Sequence, residues 1–266
     1  MVQTHRRRRE GLVAQVGWPA FALLASTAVV AYAQTAPPGD TKGGVREFVP
    51  GVRIDWTAKT VLVDAKVVLK KGPLELVACS PKTREHESIL VAPARPMYIF
   101  QAMGLIGLSP GKPLSYDERN NKWLPPSGDA VDILVRCQEA GHERPVPIAE
   151  WLEVVETKEP PADVEWVFSG SLNLPDGRFA ADVEGTLICV VDFEAALIAI
   201  RALHTADNEM LWLRARTEAI PPVGTACTLL IRAGSRSSPE PPAAGVEKQV
   251  KPDDNAAPDG GDPGKR

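Results

Sequence analysis

The sequence predicts a single α+β domain: a largely antiparallel β-sheet with two or three short helices covering one face. Three observations predict it. Most apolar segments between residues 47 and 234 alternate with polar residues at the two-residue period of a strand. Only a few segments space their apolar residues as a helix does. Proline, glycine and aspartate separate the segments at short intervals, which favours antiparallel neighbours joined by turns.

In the first half of the domain, five segments have the pattern or the apolar content of strands. They are residues 52–56, 60–63, 66–69, 74–79 and 89–91. Asp64 and Ala65 are interpreted as a turn, so the first three segments would form a meander. Pro96 suits the first position of a helix, and the spacing of Ile99, Met103 and Ile106 continues that helix.

In the second half, residues 112–128 have no usable period and are rich in proline and asparagine, which predicts a long exposed loop. Strands are predicted at residues 131–137, 145–148, 166–174, 179–184, 186–191, 211–216 and 225–231. The Pro175-Asp176-Gly177 turn predicts a hairpin between 166–174 and 179–184. Helices are predicted at 149–155 and, capped by Asp192, over residues 193–200.

Both ends of the chain are expected to lie outside this domain. Residues 1–33 combine an arginine block, an uncharged apolar stretch and the small residues Ala31 and Ala33, which predicts a signal peptide cleaved after Ala33. An uncleaved anchor helix is the alternative. Residues 34–46 are interpreted as a linker, 47–234 as the domain, and 235–266 as a disordered tail rich in Pro, Gly and Asp. We therefore expect export to the periplasm or cell envelope.

Charge and cysteine spacing limit the possible partners and cofactors. Loss of residues 1–33 changes the formal net charge from −4 to −7, which argues against nucleic acid as a partner. Membrane contact is expected only through the N-terminal segment, if that segment is uncleaved. Cys79, Cys137, Cys189 and Cys227 could form two disulfides, but their apolar neighbours favour buried free thiols. No Cys-x-x-Cys pair occurs, which argues against an iron–sulfur cluster.

One turn concentrates groups capable of chemistry. Cys79, His86, Glu87 and Ser88 lie within ten residues between two apolar segments. Cys79 and His86 could act as nucleophile and base, or Cys79, His86 and Glu87 could bind a metal ion. The alternative is an ordinary solvated loop.

A second set of candidates consists of carboxylates. Asp182 and Glu184 would share one side of the predicted strand 179–184, with Asp192 following. Such carboxylates can bind calcium or act as acid and base, whereas a solvated strand face is the plainer interpretation.

The domain resembles the YdjY-domain family. The resemblance is carried by residues 72–79, 84–88, 104–111, 166–171, 181–185 and 220–225. It spans essentially the whole predicted domain. This family consists of exported bacterial proteins, often from planctomycetes, without an established activity. The resemblance thus implies export and one domain, places the Cys79–Ser88 turn in the family's most recognisable stretch, and supplies no mechanism.

Two functional hypotheses follow. The first is a non-catalytic envelope or periplasmic module that binds a partner through a sheet face and long loops, because catalytic motifs are missing from the sequence. The second is a metal-assisted or thiol-dependent enzyme centred on Cys79, His86 and Glu87, because of that turn alone.

Overall fold

The computed structural model describes residues 44–138, 142–204 and 211–235. All described residues belong to one compact unit. The predicted signal peptide, and the predicted tail from residue 236 onward, lie outside the described residues. No helix in the described part of the chain is long and apolar enough to cross a membrane.

Strands dominate the described chain. They are β1 (Val45–Val49), β2 (Val52–Asp55), β3 (Thr60–Val67), β4 (Leu76–Cys79), β5 (Ser88–Val91), β6 (Ser115–Asp117), β7 (Lys122–Leu124), β8 (Ala130–Cys137), β9 (Val146–Pro147), β10 (Leu152–Val154), β11 (Trp166–Val167), β12 (Thr186–Cys189), β13 (Ile198–Ile200), β14 (Leu213–Ala215) and β15 (Ala226–Ala233). The helices are α1 (Pro96–Leu105), α2 (Ala180–Glu184) and the 3-10 turns Glu85–Glu87 and Ile148–Trp151. β1 begins inside the segment interpreted as a linker.

Eight strands close into a β-barrel in the order β3-β15-β8-β11-β13-β12-β4-β5. The ring closes because β5 pairs with the far end of β3, with Lys66 opposite Val91 and Val67 opposite Leu90. Most pairings are antiparallel, but β4–β5 and β12–β13 are parallel. β1 and β2 extend the sheet from β3, and β9 pairs with β8. β10–β14 and β6–β7 are separate two-stranded sheets.

The predicted α+β fold with covering helices is therefore wrong, and the domain is a mostly β barrel. Alternation tells which side of a strand is buried, but it does not distinguish an open sheet from a closed one. Closure of the sheet depends on the length of β3. This strand continues through Asp64 and Ala65, where a turn was predicted, because both residues keep their partners on β15. Its first half can then pair with β2 and its last two residues with β5.

Several local predictions also fail. The helix predicted at 149–155 is the end of a 3-10 turn followed by β10. Residues 193–200 form a turn and then β13 instead of a helix, and β13 is buried at every position. Residues 180–184 form α2 instead of a return strand, and Gly185 ends this helix with a φ of 76° and an N–H bonded to the Ala181 carbonyl. The predicted loop 112–128 contains the β6–β7 hairpin. In contrast, α1 begins at Pro96 as predicted.

The four cysteines divide into two kinds. Cys137 and Cys227 are joined by a disulfide, because the β8–β15 register places them directly opposite each other. The expectation of free thiols is wrong for this pair. Cys79 and Cys189 are free and buried, as expected, and they share a small apolar cluster with Leu76, Ala196 and Ala199.

Candidate functional site

The polar turn containing the first candidates connects the parallel strands β4 and β5. Cys79 is the last residue of β4 and Ser88 is the first residue of β5. The Glu85 carboxylate accepts the Lys82 N–H at 3.0 Å, and the Thr83 hydroxyl donates to the Ser80 carbonyl at 2.7 Å. These bonds hold the turn in a defined shape across the end of the barrel wall.

The turn also packs against the C-terminus of α2. The Ser80 N–H donates to the Gly185 carbonyl at 3.1 Å. A Cβ atom at Gly185 would lie 2.2 Å from the Thr83 hydroxyl oxygen, so the two segments can approach this closely only because residue 185 is glycine. The turn is therefore a packed part of the structure.

The four predicted residues do not converge on one point. Cys79 and Ser88 are completely buried, whereas 74% of the His86 side chain is exposed to solvent. The His86 Nε2 atom lies 3.6 Å from the Glu87 carboxylate and the Ser88 hydroxyl donates to the Leu90 carbonyl at 3.0 Å. The structure thus places His86 beside Glu87 near the surface and buries the thiol.

Burial also determines the protonation of the free thiols. Burial raises the pKa of the Cys79 thiol, although hydrogen bonds with the Ser88 and Thr83 hydroxyls act in the opposite direction. The pKa of Cys189 is raised well above its usual value by complete burial. Because the thiolate is the nucleophile and the metal ligand, both cysteines are held in their less reactive form.

An ion cluster that the sequence did not reveal lies beside the turn. Arg84 Nη1 lies 2.8 Å from the Glu75 carboxylate and 3.8 Å from that of Glu87. Burial, followed by the hydrogen bond and negative charge of Glu87, raises the pKa of Glu75. The guanidinium also lies 4.6 Å from the centre of the Phe193 ring. This arrangement joins the turn to β4 and to the segment after β12.

The signal for this cluster was present but weak. Glu75 stands at the start of an otherwise apolar run, Leu74 to Cys79, where a buried carboxylate needs a partner. Nothing in that spacing identifies Arg84 as the partner. Among the described residues, no three His, Cys, Asp or Glu side chains are grouped closely enough to hold a metal ion.

The second set of carboxylates does not lie on one strand. Asp182 belongs to α2 and pairs with Arg95 Nε at 3.1 Å and with the Met97 N–H at 2.9 Å. Glu184 is the last residue of that helix. Asp192 follows β12 and accepts the His204 N–H at 2.8 Å, and burial raises the pKa of its carboxyl to about 6. The predicted shared face was wrong because the supporting strand is a helix.

The β6–β7 hairpin presents a pair of exposed aromatic rings. Tyr116 and Trp123 lie directly opposite each other, with ring centroids 5.1 Å apart in an edge-to-face arrangement. They are 45% and 49% exposed. The Asp117 carboxylate accepts the backbone N–H groups of Arg119 and Asn120 at 3.0 and 3.3 Å, which fixes the tip of the hairpin. We call these two rings the aromatic pair.

The family model of the YdjY domain matches residues 52–232, which run from the start of β2 into the last residues of β15 and leave out β1. The resemblance inferred from the sequence is therefore confirmed. No curated protein and no solved structure matches the chain.

Proposed function

The chain belongs to the YdjY-domain family, and we propose that it is an exported protein of the periplasm or cell envelope whose barrel binds a partner protein. The observation that carries the proposal is the aromatic pair on the β6–β7 hairpin. The two rings expose apolar area to water side by side on the strands of this hairpin.

The composition of the hairpin suits a protein interface. Tyrosine, tryptophan and arginine dominate binding energy at such interfaces, and the hairpin carries Tyr116, Arg119 and Trp123 within eight residues. Aromatic rings also lose little conformational entropy on binding, because each has only two side-chain torsions.

The hairpin is preorganised for binding. The Gly111 N–H attaches its base to the barrel by donating to the Phe168 carbonyl at 2.9 Å, and the Ser127 N–H closes the base by donating to the Lys112 carbonyl at 2.8 Å. A loop that is already ordered loses less entropy when a partner binds. These bonds support a binding role for a loop of this length.

Two further observations support export. The N-terminal 33 residues have the composition of a signal peptide. Disulfides such as Cys137–Cys227 persist in oxidising compartments, including the bacterial periplasm, and are rare in the cytosol.

The competing proposal, an enzyme centred on Cys79, His86 and Glu87, has less support. A thiol-dependent mechanism needs a thiolate within reach of a base, but burial raises the pKa of Cys79 and His86 points into solvent. The metal-assisted version is tested by the metal content of the purified protein beside His86→Ala. A near-stoichiometric metal that is lost in the variant would favour the enzyme.

The binding proposal is tested in cells by replacing Trp123 with a photo-crosslinking amino acid. We expect one discrete covalent complex in the periplasmic or envelope fraction, absent when the probe replaces Val223, which is 60% exposed elsewhere. Tyr116→Ser should weaken the complex about tenfold or more, as expected for loss of a dominant contact. The same adducts from both probe positions, or none from Trp123, would refute the interface. Full-length chain recovered from the cytosol alone would refute export.

A further inference from the structure

An apolar groove lies beside the base of the β6–β7 hairpin, and the proposed function assigns no ligand to it. Its volume is about 460 Å³, within the range of small binding sites. The walls come from β1, α1 and the segments around residues 110 and 168: Phe48, Phe100, Gln101, Leu105, Pro110 and Phe168. Gln101 is the one polar side chain in this lining. Leu105 is 50% exposed, so the groove presents apolar surface to water.

The fold itself does not require a glycine at position 104, which lines the groove. Gly104 lies in α1, where glycine costs about 1 kcal/mol relative to alanine. Its φ is not positive, and a Cβ atom built on it would have no heavy atom within 4 Å apart from its chain neighbours and the backbone of its own helix. Neither backbone conformation nor packing therefore demands glycine here. A chain that approaches α1 closely is a physical reason for omitting the side chain.

The described chain ends close to the groove. The Gly234 N–H donates to the Ala130 carbonyl at 2.8 Å, and the carbonyl of the adjacent Asp129 accepts the Phe168 N–H at 2.9 Å. The path from Gly234 to the groove therefore crosses one hydrogen bond to Ala130, moves one residue along the chain to Asp129, and crosses a second hydrogen bond to Phe168, which lines the groove. These steps add up to roughly 15 Å at most.

The chain beyond Ser235 contains a single short segment with large apolar side chains. Val246 and Val250 are the only such residues between Arg236 and Arg266. Residues four apart lie on the same side of both a helix and an extended strand, so both valines can face one surface. The charges between them, Glu247 and Lys248, cancel, so the segment brings no net charge to an apolar groove.

The connecting chain is long enough. Val246 lies eleven positions after Ser235, which gives a reach of about 36 Å when the chain is extended. A flexible chain of that length has a mean end-to-end distance of roughly 17–20 Å. This matches the distance to the groove, and a matched tether raises the local concentration of the segment to roughly millimolar.

We propose that residues 245–250 of this chain occupy the groove, with Val246 and Val250 packed against the phenylalanines of β1 and α1. The segment covers apolar surface that would otherwise face water, and any other ligand of the groove must displace it. This inference does not depend on the aromatic pair or its partner.

The test compares nuclear magnetic resonance spectra of the protein produced from the full chain and of Val246→Ser/Val250→Ser. We expect the amide signals of Phe100, Gln101 and Leu105 to shift in this variant. They should remain in place in Ala256→Ser/Ala257→Ser, which makes the same kind of change further along the chain.

A second variant tests the groove itself. Gly104→Leu places a side chain in space that is open, so the helix should form while the groove fills. The methyl signals of Val246 and Val250 should then move to their positions in a synthetic peptide of residues 236–266. Unchanged groove signals in the valine variant would overturn the proposal. So would shifts that grow with protein concentration, because these would show that a second copy supplies the segment.

Discussion

Breaking the Cys137–Cys227 disulfide is expected to lower the free energy of unfolding by several kcal/mol. The two residues are 90 apart in sequence, so the bond closes a long loop in the unfolded chain. The entropy of closing a loop of that length corresponds to about 4.6 kcal/mol near room temperature, and native disulfides in small secreted domains contribute about 2–5 kcal/mol. We therefore expect a loss of about 3–5 kcal/mol, since β8 and β15 are neighbours in the folded barrel with or without the bond.

The assay is urea unfolding of the wild type and of Cys137→Ala/Cys227→Ala, each with and without reductant. Alanine suits both positions because Cys137 and Cys227 are buried, and it leaves no unpaired polar atom. Reductant should destabilise the wild type to nearly the level of the variant and should leave the variant unchanged. The variant without reductant is thus the internal control.

Thiol titration provides an independent check. In denaturant without reductant, two thiols should react, those of Cys79 and Cys189, and four should react after reduction. In the folded protein neither free thiol should react, because both are buried. Four reactive thiols in denaturant without reductant, or equal effects of reductant on both proteins, would refute the cross-link between β8 and β15.

Three further predictions concern charges and backbone. Burial raises the pKa of Asp192, so the folded chain binds a proton at this carboxyl more tightly than the unfolded chain, and stability should fall as pH rises from 3.8 to about 6. Asp192→Asn should therefore raise the thermal unfolding temperature at neutral pH but not below pH 3.8. Equal shifts of that temperature at both pH values would contradict this. Arg84→Met should lower the free energy of unfolding in urea by about 3 kcal/mol, because it leaves Glu75 buried without a cation. Adding Glu75→Gln to this variant should restore most of that free energy. No recovery would show that the unpaired charge is not the cause. Gly104→Ala should raise the free energy of unfolding by up to about 1 kcal/mol. In contrast, Gly128→Ala should prevent folding, because the φ of Gly128 is 134° and a Cβ atom there would lie 2.1 Å from the Phe168 carbonyl oxygen. Similar yields of folded protein from the two variants would refute this contrast.

Sequence patterns worked where one side of a strand faces water. β2, β8 and much of β15 alternate between buried and more exposed residues, and their positions were predicted closely. They were less reliable where both sides are buried: β4, β5 and β12 were predicted as strands, but β13 was not. β13 is buried at every position, so its apolar residues carry no two-residue period and were interpreted as a helix.

The candidate site shows the same limit. Its residues were identified correctly as one turn, since neighbours in sequence remain neighbours in space. Their separation into a buried thiol and an exposed imidazole was not predictable, because it depends on distant residues such as Cys189 and Ala196 that pack around Cys79 and leave His86 in water. The partner of Glu75 was missed for a related reason. Arg84 reaches it only because β4 and β5 are parallel and the turn folds back along them.

By itself, the sequence determined the family, the start of α1 at Pro96 and the strands with one wet face. These properties depend on local chemistry: a proline ring that suits the first turn of a helix, and the alternation of side chains along an extended backbone. Only the tertiary structure decided that the sheet closes and that Cys137 lies opposite Cys227. Both depend on the register between strands far apart in sequence, which pairing across the whole barrel determines and no local pattern records.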